Sequence, residues 1–73
     1  MTDRPVKHSL TLRGHRTSVS LESEFWHAFR QIADSKGKTI NALAIDIDEA
    51  RTTDAGLASA IRVFVLNHYR SLR

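Results

Sequence analysis

Arg16-Thr17-Ser18-Val19-Ser20-Leu21 runs without a break into Glu22-Ser23-Glu24-Phe25-Trp26. In the first six residues Thr17, Val19 and Leu21 alternate with Arg16, Ser18 and Ser20. That period of two describes a strand with one half-apolar and one polar face. The period then changes: Phe25, Phe29 and Ile32 recur at helical spacing, with Trp26 and Ala33 beside them. A strand that passes directly into an amphipathic helix leaves no room for an enclosed active site. It offers a polar strand face held rigid by the helix behind it, and that face is the candidate working surface.

Upstream, Ser9-Leu10-Thr11-Leu12-Arg13 alternates as well, with Leu10 and Leu12 on one face. Gly14 follows and can take the positive φ of a tight turn. Two alternating runs around Arg13-Gly14-His15 form a hairpin; a continuous strand with a glycine bulge is the alternative. Residues 1–8 read as a flexible basic arm carrying Arg4 and Lys7, with Pro5 opposing regular structure before it. The domain proper then spans residues 9–73.

Downstream, the first helix starts near Glu22 or Ser23, with Glu22 and Glu24 at the positive end of its dipole. Lys36-Gly37 is its stop. Thr39 is a good N-cap for a second helix, whose stripe is Ile40, Leu43, Ala44 and Ile47. A third helix, from about Ala55 to Ser71, is capped by Asp54 or a preceding threonine. Leu57, Ile61, Phe64, Val65 and His68 line one side of it, while Val63, Leu66 and Tyr69 add apolar surface elsewhere. One small domain can hardly cover such a helix, so self-association is expected there.

The chain has 73 residues and no cysteine. A single domain of this size is marginal alone, and without disulfides oligomerisation is the expected source of extra stability. The spacings of His8, His15, His27 and His68 match no metal template. Asp46-x-Asp48-Glu49 lacks the glycine and spacing of a calcium loop. No metal or cofactor is expected. No nucleophile–base set and no glycine-rich phosphate loop is present, so the sequence gives no ground for an enzyme. No apolar run would cross a membrane and no signal peptide is seen, which fits a cytoplasmic protein. Net charge is +3, unevenly spread. Arg4, Lys7, Arg13 and Arg16 face Asp3 alone in the first twenty residues, whereas Asp46, Asp48, Glu49 and Asp54 outnumber Arg51 later. A basic strand end suits a polyanionic partner.

The order strand, helix, glycine turn, capped helix, with the strand polar-out, resembles the ribbon-helix-helix family of DNA-binding proteins. The resemblance covers roughly residues 9–70. It is carried by Gly14-His15-Arg16-Thr17-Ser18, by Glu24-Phe25-Trp26, by the pattern from Val19-Ser20-Leu21-Glu22 through Gly37-Lys38-Thr39, and by Ala60-Ile61-Arg62-Val63-Phe64-Val65-Leu66. It implies a mostly α fold with a short β-ribbon, a ribbon-helix-helix homodimer bearing an additional C-terminal helix. In the family two chains pair strands into an antiparallel ribbon that enters the major groove. By position, Arg16, Ser18 and Ser20 are the implied base contacts, and Lys38, Thr39, Asn41 and Arg13 the implied phosphate contacts. The expectation is a bacterial transcription regulator that binds double-stranded DNA. The alternative is the same dimer serving as an antitoxin-like or adaptor module that holds another protein.

Overall fold

A computed structural model describes residues 4–51 and 55–72. Two strands, β1 (Val6–Leu12) and β2 (His15–Leu21), are followed by three helices, α1 (Ser23–Ser35), α2 (Ile40–Ala50) and α3 (Leu57–Arg70). The strands pair antiparallel with each other, from Val6 opposite Leu21 to Leu12 opposite His15. The hairpin reading therefore holds over the bulged strand. Arg13 and Gly14, with φ of 54° and 80°, make the two-residue turn. Two successive positive φ values give the turn a twist that matches that of its strands. The first strand begins at Val6, so Val6, Lys7 and His8, assigned on sequence to the arm, are part of the ribbon. Residues 1–3 of that arm lie outside the described residues.

Within one chain, β1 and β2 form the ribbon as a hairpin. Its inner face carries Leu10, Val19 and Leu21, which are buried against Phe29, Ile32 and Ala33 of α1. Leu43, Ala44 and Ile47 of α2 and Ile61 and Val65 of α3 complete the core. Phe29, Leu21, Ala44 and Ile61 are fully enclosed. His8, on the inner side of β1, stacks on Trp26 of α1 with ring centroids 3.8 Å apart and planes 6° from parallel. Trp26 is therefore part of the packing between ribbon and helix, as its place among apolar residues implied.

The helix boundaries follow from their ends. Gly37, with φ 68°, stops α1. The Lys38 amide donates to the Ala33 carbonyl at 2.9 Å and the Gly37 amide to the Asp34 carbonyl at 3.0 Å. That pair of bonds is the glycine-terminated Schellman arrangement. The Thr39 hydroxyl then accepts from the Ala42 amide at 3.0 Å and caps α2. For α3 the cap differs from expectation. It is Gly56, without a side-chain bond, and Thr52, Thr53 and Asp54 lie outside the described residues.

α3 also divides its apolar surface differently from the sequence reading. Ile61 and Val65, placed on a self-association stripe, are buried in their own chain's core. The space beneath the ribbon between α1 and α2 admits one face of α3, so one chain covers that side itself. Val63, Leu66, Tyr69 and Leu72 remain exposed on the outside.

The turn is the most directly testable feature of this architecture. A Cβ on Gly14 would meet no neighbouring atom, so only its left-handed backbone resists substitution. Gly14→Ala is predicted to destabilise the domain by about 1–2 kcal/mol. In urea unfolding the midpoint should fall with the slope unchanged; an unchanged midpoint would contradict the turn.

Candidate nucleic-acid interface

Because side chains alternate across a strand, fixing Val19 and Leu21 in the core fixes their neighbours outside. Arg16, Ser18 and Ser20 are all exposed on the outer face of β2. The register sets Thr11, Ser9 and Lys7 opposite them on β1, and these too are exposed. The outer face is therefore two strands wide, composed of four hydroxyl side chains and two cations. Sequence reasoning had named only the β2 half. The alternation that would have extended it through Lys7 was present, but the arm assignment cut it short.

Beside β1 stands the N-terminus of α2. Its Ile40 and Asn41 amides lie ahead of the first intrahelical bond, from the Leu43 amide to the Thr39 carbonyl at 3.0 Å. Such amides point out of the helix and favour an anion. The Asn41 side chain is partly committed, since its Oδ1 accepts from the Thr11 amide at 3.0 Å. Its side-chain NH₂ remains a donor. The same bond brings the helix end against the ribbon, so the groups named on sequence as base and phosphate contacts lie on adjoining surfaces.

Residues 5–69, from the strand pair into α3, match the family model described as a ribbon-helix-helix domain. The chain belongs to the ribbon-helix-helix domain family. The family generally comprises DNA-binding transcription regulators and antitoxins. No curated protein and no solved structure matches the chain.

In this ribbon-helix-helix chain the cations fall into two groups. Arg13 pairs with Glu49, Lys38 with Asp46, Arg51 with Asp48, and Arg62 with Glu22. Lys7 and Arg16, like Arg4, Arg30, Lys36 and Arg70, have no carboxylate partner among the described residues. Two of the implied phosphate contacts, Arg13 and Lys38, are thus held by acids of α2. These are exposed pairs that contribute little to stability. The acidic stretch of α2 is correspondingly matched: Asp46, Asp48 and Glu49 each face a cation of their own chain. No group of histidine and acidic side chains among the described residues is placed to hold a metal ion. No helix of the described residues is long and apolar enough to cross a membrane.

Arg62 is a residue that sequence reasoning passed over as part of an apolar stretch. Its Nε donates to Glu22 Oε1 at 2.9 Å and its Nη2 to the Ser20 carbonyl at 3.1 Å. The guanidinium also lies over the Phe25 ring, 5.9 Å from its centroid. One side chain from α3 so ties the end of β2 to the start of α1. Forty residues of sequence separation hid it. Both outer edges of the ribbon are engaged by the chain itself, β1 by Asn41 and β2 by Arg62, which opposes addition of a further strand at those points.

The bond from Arg62, and then Glu22's own backbone amide, hold the Glu22 carboxyl below its ordinary pKa. A lowered folded-state value means that the stabilisation is present above the unfolded glutamate value of about 4.3. It is lost as pH falls through the lower folded value. Glu22→Gln is therefore predicted to reduce stability at neutral pH and to flatten its decline below about pH 4. Thermal unfolding of both proteins across that range reads this out; parallel curves would contradict the pairing.

Proposed function

We propose that this protein is a cytoplasmic, homodimeric transcription regulator that sets the outer face of its ribbon into the major groove of DNA and carries out no chemistry. The observation that carries this reading is the exposure of Arg16, Ser18 and Ser20 together on a strand whose other face is locked into the core. A two-stranded ribbon fits the width of the major groove. Arg16 is long enough for a bidentate contact with guanine, worth about 1–3 kcal/mol of discrimination. Ser18 and Ser20 both donate and accept, so they read bases less sharply. Ile40 and Asn41 amides, with Thr39 at the cap, receive a phosphate beside the groove, and Lys38 and Arg13 exchange their carboxylate partners for the DNA backbone.

Closure of the ribbon within the chain moves the contact between copies away from the strands. The outer stripe of α3, with Val63, Leu66 and Tyr69 exposed and Leu72 just past the helix end, is the apolar surface that remains for it. The same surface supports the second reading, an antitoxin-like or adaptor module that holds another protein. Pairing of Asp46, Asp48 and Glu49 within the chain weakens the case for an acidic docking face and favours the DNA reading.

Two substitutions separate the parts. In gel shifts against genomic fragments, Arg16→Ala should lower affinity by about tenfold or more while leaving fold and assembly intact. Unchanged binding would contradict the ribbon as the contact. Leu66→Asp should stay folded, since Leu66 is half exposed, but sediment as a monomer; a persisting dimer would place the contact elsewhere.

A further inference from the structure

Two ion pairs tie α2 to the turns on either side of it. Asp46 holds Lys38, which precedes the cap of α2, and Glu49 holds Arg13 in the ribbon turn. Asp46 and Glu49 lie at i and i+3 of one helix and so project from one face of it. The start of α2 is fixed beside β1 by the Thr11 amide, which donates to Asn41 Oδ1 at 3.0 Å. Folding gains little from either pair. The four side chains are 43–60% exposed, and pairs of that kind add little stability. Their effect falls on the charge that a partner meets. Lys38 and Arg13 are the charged members of the implied phosphate contacts, and both already face a carboxylate. Arg16, the implied guanine contact, is in no ion pair among the described residues.

We propose that Asp46 and Glu49 are intramolecular competitors for the DNA backbone: they hold Lys38 and Arg13 until phosphates displace them, and so limit sequence-independent affinity. The inference rests on the reading that Lys38 and Arg13 contact phosphates. A carboxylate occupies the same N–H donors that a phosphate oxygen would take. Each exchange therefore breaks one charge pair as it makes another, and gains less than a free cation would.

The exchange also leaves a signature in salt dependence. A free cation that neutralises a phosphate releases a condensed counterion, and the log–log slope of affinity against salt is about −0.9 per phosphate. A carboxylate set free in the same step takes up a counterion of its own, which cancels part of that release. Phosphate contacts carry no sequence information directly. Restraining them leaves Arg16, Ser18 and Ser20 a larger share of the binding energy. Asp48 is the internal comparison. It accepts from Arg51 Nη2 at 2.6 Å, and Arg51, which also donates to the Ala55 carbonyl, is not among the implied contacts.

The test is fluorescence anisotropy of the full chain with a labelled mixed-sequence duplex across a range of salt. Asp46→Asn and Glu49→Gln are each expected to raise affinity by about two- to fivefold. Each should also steepen the salt slope, by at most about 0.9. Thermal unfolding should show both variants folded as the parent is. In a double-mutant cycle the gain from Asp46→Asn should vanish in a Lys38→Gln background, and that from Glu49→Gln in an Arg13→Gln background. If Asp48→Asn raises affinity as much as the other two, net charge alone is responsible and the inference is overturned. If Lys38→Gln and Arg13→Gln weaken binding while the acid variants change nothing, the inference falls and the phosphate contacts stand. If Lys38→Gln and Arg13→Gln leave binding unchanged, the phosphate reading falls together with it.

Discussion

Antiparallel pairing of β1 with β2 is the constraint on which the molecule depends. With Leu12 opposite His15 across a two-residue turn, every later pair is set, and a slip of one residue would turn Val19 and Leu21 to solvent. The same pairing that places Leu10, Val19 and Leu21 on Phe29 puts serines, threonine and cations on the other side. Core and contact surface are thus two consequences of one register. The outer face requires no further folding device, because the inner face holds it in place.

The helices contribute in different ways. α1 supplies the core against which the ribbon lies, and the stacking of His8 on Trp26 fastens β1 to it. α2 brings its capped N-terminus to the ribbon through the bond from the Thr11 amide to Asn41. α3 fills the remaining side of the core with Ile61 and Val65 and reaches back through Arg62 to the end of β2. Among the described residues this leaves Val6 of β1, the outer stripe of α3 and Leu72 as the exposed large apolar side chains. Charge is arranged along the same lines: Arg13, Lys38 and Arg51 are matched by acids of α2, while Lys7 and Arg16 lie exposed on the ribbon face.

Much of this was legible in the sequence because it depends on local periodicity and caps. The change of period at Glu22, the glycine stop at Gly37 and the threonine cap at Thr39 set the elements from Arg16 to Ala50 with little error. The family resemblance was carried by those same residues, and the outward set Arg16, Ser18 and Ser20 followed from alternation alone. What was not legible depends on contacts distant in sequence. The pairing of β1 with β2 gives Lys7 a place beside Ser20, yet Pro5 and the chain end suggested a loose arm. Ile61 and Val65 looked like an interface because a helix apolar on several sides cannot announce which side its own domain will cover. Arg62, set among apolar residues, gave no sign that it would bridge Glu22 and Ser20. The pairing of Arg13 with Glu49 and of Lys38 with Asp46 likewise required the helices to be packed first.

The most direct measurement of the central claim is an amide NMR titration of the isotopically labelled chain with a duplex that it binds. The account predicts that resonances of alternate residues on both strands, around Ser9 and around Ser18, and those at the start of α2 shift together, while the outer surface of α1 near His27 and Arg30 stays unperturbed. Shifts confined to the helices, with both strands silent, would contradict it.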